Sequence, residues 1–224
     1  MIRAVLFDLD DTLYEERQFF RSGFEAVAQV LRNRGITSAD DVVGLLEHFH
    51  HEEGREGVFQ KLSERLAFPS TWIPELVRAF RQHTPNISLI AEVPGVLDRL
   101  RRHYRLGCIT DGWSAVQRGK LLALGVERFF DAVVVSDDYG REMWKPHAFP
   151  FRKCCELLGV DPSDAIFVGD HPDRDVTGAT AAGMRVVRLK RPSGYFTELD
   201  HPLDATTPCV QSLTEFEALV NREH

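Results

Sequence analysis

The chain has 224 residues, 43% of them hydrophobic and 27% charged, and its 27 basic and 34 acidic side chains leave a formal net charge of −7. That length suffices for one large domain or two small ones. The acidic balance argues against a dedicated nucleic-acid or anionic-membrane surface, and no apolar run reaches the length of a membrane span.

The first element is a short apolar run, Ala4-Val5-Leu6-Phe7, that stops abruptly at Asp8-Leu9-Asp10-Asp11-Thr12-Leu13-Tyr14. Such a run suits a strand covered on both faces, and ligands of open α/β sheets bind beyond the carboxyl ends of such strands. A carboxylate there can be a nucleophile, and a second one two positions on can move protons. Two close carboxylates repel unless a cation lies between them, so a hard divalent ion such as magnesium is their natural companion. The competing reading is an ordinary acidic turn capped by Thr12. This start, a charged strand motif rather than a signal peptide, leads us to expect a cytoplasmic protein.

Residues 15–88 hold helical patterns and no convincing strand. Phe20, Phe24, Val27 and Leu31 form one helical face that Gly35 ends. Further helices are expected over 39–53, 57–66 and 71–83, with Pro69 and Pro85 as punctuation. From Val93 strands and helices alternate. Strands are expected over 105–110, 132–136, 165–169 and 185–189, and helices over 94–102, 114–124, 149–158, 173–182 and 213–221. This rhythm implies a parallel sheet with helices on both faces. The first strand must join that sheet, so the helical block is an insertion. The expected division is an α/β domain over 1–14 and 89–224, interrupted by a helical domain over 15–88. Cys108, Cys154, Cys155 and Cys209 lack zinc-site spacing and are expected to be reduced.

Three later strands end in groups suited to phosphoryl chemistry. The second ends Thr110-Asp111-Gly112, where a hydroxyl and free amides make an anion cradle; alternatively, Thr110 caps the next helix. Lys145-Pro146 follows the third strand, and Lys145 there would neutralise a phosphate or else be a surface lysine. The fourth ends Gly169-Asp170-His171-Pro172-Asp173-Arg174-Asp175. Its aspartates suit a metal, although Asp173 and Asp175 also suit helix capping.

The ordered set Asp8-x-Asp10-x-Thr12-Leu13, Thr110-Asp111-Gly112, Lys145-Pro146 and Gly169-Asp170-x4-Asp175 resembles the haloacid dehalogenase-like hydrolase superfamily over nearly the whole chain. The inserted helical block is similar to the cap of one of its subgroups. The resemblance implies a Rossmann-like core with an all-helical cap, acting on small phosphomonoesters. By that resemblance Asp8 is the nucleophile and Asp10 the acid and base. Asp8, the Asp10 carbonyl, Asp170 and Asp175 bind Mg2+. Thr110, Asp111, Gly112 and Lys145, with an amide near Leu9, hold the phosphoryl group.

Two departures stand out: Asp111 where the family often has Asn, and a bulky stretch, 140–144, before Lys145. Trp113 and Trp144 are candidates to line the substrate pocket or are simply packed. His48, His50 and His51, followed by Glu52 and Glu53, are expected to be a solvated helix face rather than a metal cluster. His147 and Arg21 are given no chemistry. Competing activities are sugar-phosphate phosphomutase, 2-haloacid dehalogenase (which typically lacks the second aspartate and the metal), phosphonate cleavage through Lys61, and a phosphorylated receiver module. The expected partner is a small phosphate ester, a nucleoside monophosphate or sugar phosphate, with no nucleic acid or membrane and a monomeric or homodimeric state.

Overall fold

The computed structural model describes residues 1–36, 42–52 and 54–222. The chain forms two compact units, one of Met1–Glu15 with Ser88–His224 and the other of Glu16–Ile87.

The first unit is built on a six-stranded sheet, ordered β3-β2-β1-β4-β5-β6, in which every pairing is parallel. Its strands are β1 (Ala4–Phe7), β2 (Arg105–Thr110), β3 (Ala132–Val135), β4 (Ala165–Gly169), β5 (Arg185–Leu189) and β6 (Cys209–Val210). All four residues of β1 are buried, as are all five of β4, which is why both read as unbroken apolar runs. One face packs Leu6, Ile109 and Phe167 against Phe151. On β1's neighbouring residue, Phe7 meets Phe216 edge-on at 6.0 Å. β1 lies between β2 and β4, so strand order reverses on either side of it. That reversal places its carboxyl end at the topological switch point, where α/β sheets open a crevice. Phe7 is level with Cys108 and with Val168, so the polar ends of three strands emerge together.

The second unit is helical, with α1 (Glu16–Asn33), α2 (Val42–Glu52), α3 (Val58–Leu66) and α4 (Ile73–Gln82). Phe24, Val27 and Leu31 of α1 join Leu46, Leu62 and Leu76 in one apolar cluster. Beyond α1, Gly35 takes a left-handed conformation (φ +86°), and the Ile36 amide donates to the Leu31 carbonyl at 3.0 Å.

The other helices are α5 (Val93–Leu100), α6 (Ser114–Leu124), α7 (Phe149–Leu158), α8 (Thr177–Ala182) and α9 (Leu213–Asn221). Of the helix expected over 39–53, residues 39–41 and 53 lie outside the described residues and the rest is α2, Val42–Glu52. Two other elements differ from expectation. The helix expected from Asp173 begins as a π-helical turn, Pro172–Val176, before α8; such single turns occur at functional sites. The two-residue strand β6 has no period for a sequence pattern to reveal, and pairing with β5 creates it.

Candidate active site

Asp8 is the first residue beyond β1, and its amide still donates to Val168 of β4 at 3.0 Å. Continuation of the sheet thus fixes its carboxylate beside β4's own polar end. Lys145 Nζ donates to Asp8 Oδ1 at 2.5 Å and to Asp175 Oδ1 at 2.7 Å, and all three residues are buried. The Lys145 amide donates to both oxygens of Asp111, at 3.2 Å each, tying its loop to the end of β2. A buried lysine unable to reach a carboxylate would cost several kcal/mol; here two hold it. Burial alone would lower the Lys145 pKa, but Asp175, Asp8 and Asp111 outweigh it and raise it.

Asp170 follows the last residue of β4, and the π-helical turn brings Asp175 back towards it. The Asp175 amide donates to the His171 carbonyl at 2.8 Å, and the His171 amide donates to Asp175 Oδ2 at 3.1 Å. Gly169 makes room for this return, because a Cβ there would lie 2.4 Å from Asp175 Oδ2. One carboxylate oxygen from each of Asp8, Asp170 and Asp175 lies within 4.8 Å of the other two.

Burial pushes the Asp8 carboxyl up to about 8 against the pull of Lys145, and burial with the charges of Asp175 and Asp8 holds Asp170 well above the usual carboxylate range. Asp8, Asp170 and Asp175 therefore crowd hard, buried oxygen donors whose ionised forms are disfavoured by burial and by one another, and a divalent cation of the magnesium type among them would relieve both costs.

Asp10 occupies separate ground. Its Oδ1 accepts from Tyr14 Oη and from Lys120 Nζ, the latter at 2.7 Å, and its Oδ2 accepts from Gln117 Nε2 at 3.0 Å. Burial would raise its pKa, but Lys120, Tyr14 and Gln117 prevail and lower it. The turn that carries it holds Asp11 at φ +53°, a conformation uncommon for a residue with a side chain. Arg191 Nη2 braces this turn by donating to the Thr12 carbonyl at 3.1 Å. The Thr12 hydroxyl itself is buried with no hydrogen-bond partner among the described residues, so it does not cap the turn. Thr110 is fully buried and its hydroxyl accepts from Gln117 Nε2. Gly112, at φ +123°, turns the chain into α6.

The structure therefore brings Asp8, Asp111, Lys145, Asp170 and Asp175 together directly, and links Asp10 with Thr110 through Gln117. Sequence reasoning gave no role to Gln117, Lys120 or Arg174. The signal for the first two lay in their spacing, three apart on the helix that follows Thr110, but only burial distinguishes them from surface residues. Arg174 is held above its ordinary pKa, against the pull of burial, by Asp175, Asp8, Asp111 and Asp170, and its Nε is buried with no hydrogen-bond partner among the described residues.

The remaining candidates have partners or surroundings of their own. Asp173 pairs with His201 at 3.2 Å and caps nothing; the His171 ring accepts from the Arg174 amide instead. His147 Nδ1 accepts from the Phe149 amide at 3.1 Å, and Arg21 pairs with Glu47 at 3.3 Å. His50 is buried, 4.0 Å from the Phe20 ring, whereas His51 is exposed. The expected solvated face therefore holds for His51 but not for His50. Trp113 is 54% exposed, and Trp144 lies under Arg141 at 5.4 Å. A groove of about 320 Å³ lined by Ile166, Met184 and Arg185 lies at the opposite, amino end of β4 and β5 and is no part of this site. Among the described residues no helix is long and apolar enough to cross a membrane.

Residues 5–189 match a family model described as haloacid dehalogenase-like hydrolase. A glyceraldehyde 3-phosphate phosphatase of Methanopyrus kandleri is 31% identical over 219 residues, covering 93% of this chain and 91% of that one. A 2-haloacid dehalogenase structure from Pseudomonas syringae covers both chains fully at 26% identity, with a TM-score of 0.68. The hydrolase YfnB of Bacillus subtilis, solved bound to magnesium, shares the fold at 18% identity with a TM-score of 0.71, covering 98% of this chain and 99% of that one.

Proposed function

Because the chain belongs to the haloacid dehalogenase-like hydrolases, we propose that it is a magnesium-dependent phosphatase of small phosphomonoesters, sugar phosphates in particular, with the helical unit as its cap. One observation carries this reading. The chain holds two differently served carboxylates on one turn: Asp8 shares Lys145 with Asp175, whereas Asp10 has its own donors. Pairs of carboxylates in contrasting surroundings divide nucleophilic from acid–base work.

Asp8 is the nucleophile. A carboxylate oxygen attacks phosphorus, the ester P–O bond breaks, and an aspartyl-phosphate forms on Asp8. Asp10, whose donors favour its ionised form in the resting site, takes up a proton as the negatively charged phosphate binds beside it and gives that proton to the departing alkoxide oxygen. It then takes a proton from water as that water attacks phosphorus, which releases inorganic phosphate and restores the Asp8 carboxylate. Lys145 neutralises phosphoryl oxygen charge and keeps Asp8 oriented, Thr110 donates its hydroxyl proton to a phosphoryl oxygen, and Gly112 lets the main chain come close. Asp8, Asp170 and Asp175, with the Asp10 carbonyl, would hold magnesium, which supplies charge neutralisation for the transferring group. The glyceraldehyde 3-phosphate phosphatase relative supports a short sugar phosphate as substrate.

A dehalogenase reading has the Pseudomonas syringae structure in its favour. It leaves Asp10 and the buried Asp170–Asp175 pair without employment, and we set it second. Phosphate release from a panel of small esters, 2-haloacids included, tests both. Magnesium-dependent release, lost on chelation and reduced at least about 10⁴-fold by Asp8→Asn, is expected. Halide release without metal, or no release from any ester by folded protein, would overturn the proposal.

A further inference from the structure

Helix α6 buries two polar side chains where an amphipathic helix would bury apolar ones. Gln117 and Lys120 are 1% and 4% exposed, beside buried Leu121 and Leu124. At i and i+3 they share a face. A buried ammonium needs a partner, and Lys120 has Asp10 Oδ1 at 2.7 Å. Gln117 reaches two acceptors with one nitrogen, Asp10 Oδ2 at 3.0 Å and the Thr110 hydroxyl. A carboxylate accepts and cannot donate, so the amide must present its NH2 to Asp10. Its contact with Thr110 is then a donation to Oγ, which leaves the single Thr110 hydroxyl proton for another acceptor.

We infer that Gln117 and Lys120 are positioning residues of the reaction, a two-point clamp from one helix that orients Asp10 for proton transfer and Thr110 for phosphoryl binding. The inference rests on the phosphatase reading above. Asp10 Oδ1, held by Lys120 and Tyr14, is the fixed end of the carboxylate. Oδ2, with one donor, is the working end, which gives a proton to the leaving group and takes one from water. Gln117 makes the two functions interdependent, since any shift of Asp10 is felt at Thr110.

The test compares an alkyl ester, glycerol phosphate, with p-nitrophenyl phosphate, whose leaving group departs without a proton. Wild type, Lys120→Met, Asp10→Asn and the double variant are followed in the first turnover and at steady state with magnesium. We expect Lys120→Met to slow the alkyl ester about 10²-fold, with KM moved less than about threefold. Its first-turnover release of nitrophenolate should stay within about threefold of wild type, followed by slow hydrolysis of the aspartyl-phosphate. In the Asp10→Asn background Lys120→Met should add nothing, because it acts through Asp10. Equal loss on both esters in the first turnover, or a further loss in the Asp10→Asn background, would overturn the inference and leave a merely structural lysine. Should Lys120→Met fail to fold, Lys120→Arg keeps the charge and is expected to show the same split between esters at smaller size; an equal loss on both would again overturn it. Gln117→Leu should instead weaken inhibition by orthovanadate about tenfold through Thr110, and unchanged inhibition refutes its half of the clamp. If wild type releases phosphate from neither ester, the phosphatase reading itself has failed.

Discussion

The helical unit packs ring against ring. Phe20, Phe24 and Phe59 lie within 6 Å of Phe80, around a cluster that includes Leu46, Leu62 and Leu76. The α/β unit encloses an apolar sheet of the same quality, yet at one end of it Asp8, Lys145, Asp170 and Asp175 are all buried. Burying charge is costly where burying a phenyl ring is favourable. Where a chain retains buried charge beside a sound apolar core, chemistry rather than stability is the reason, and the two units should respond differently to the same kind of change.

One added methyl group in each unit breaks the comparison most clearly. In the α/β unit, Gly169→Ala puts a Cβ 2.4 Å from Asp175 Oδ2 and 2.7 Å from its Cγ. The carboxylate must move, and we expect kcat/KM to fall about 10²-fold while the magnesium requirement rises. Activity titrated against magnesium measures both, and unchanged activity would show that Asp175 is dispensable. In the helical unit, Gly23→Ala puts a Cβ 2.5 Å from the Phe80 ring. That change should cost about 1–3 kcal/mol of stability through overpacking, read by denaturant titration. A loss under about 0.5 kcal/mol would mean that the aromatic cluster yields easily.

The smallest effect sharpens the contrast through pH. Burial, with Arg55 and His51 nearby, lowers His50 to about 4 from an ordinary 6.5. Between those values the unfolded chain binds the proton and the folded unit does not. Stability is therefore intact above about pH 6.5 and is lost as pH falls towards 4, by up to about 1.4 kcal/mol per pH unit. His50→Leu should flatten that slope. Fluorescence of Trp72, the single tryptophan of this unit, reports it in a Trp113→Phe/Trp144→Phe background. An unaltered slope in His50→Leu would assign the pH dependence to other groups.

Legibility followed the same division. The runs 4–7 and 165–169 declared themselves as buried strands because both faces are covered and no polar residue interrupts them. Asp8 and Asp170 stood out because each breaks such a run where a strand ends, and Asp10, Lys145 and Asp175 because they complete the ordered set of motifs around those ends. Gln117 and Lys120 did not, since glutamine and lysine on a helix look like solvent-facing residues until packing removes the solvent. His50 was misplaced for the same reason: among adjacent histidines on α2, only the three-dimensional partner decides which ring faces inward.

By itself, then, the sequence determined the alternation of strands and helices, the helical insertion between the first and second strands, and the acidic residues at strand ends. Those features follow from local periodicity and from the abrupt change of polarity where the chain leaves a sheet. Only the tertiary structure decided that β1 lies between β2 and β4, that Lys145 bridges Asp8 and Asp175, and that α6 turns Gln117 and Lys120 onto Asp10 and Thr110. Those pairings join residues 30 to 137 positions apart in the chain in the case of Lys145, and 107 to 110 apart in the case of Asp10. No local pattern encodes such contacts; the register of the parallel strands and the packing of the helices on them bring the partners within reach.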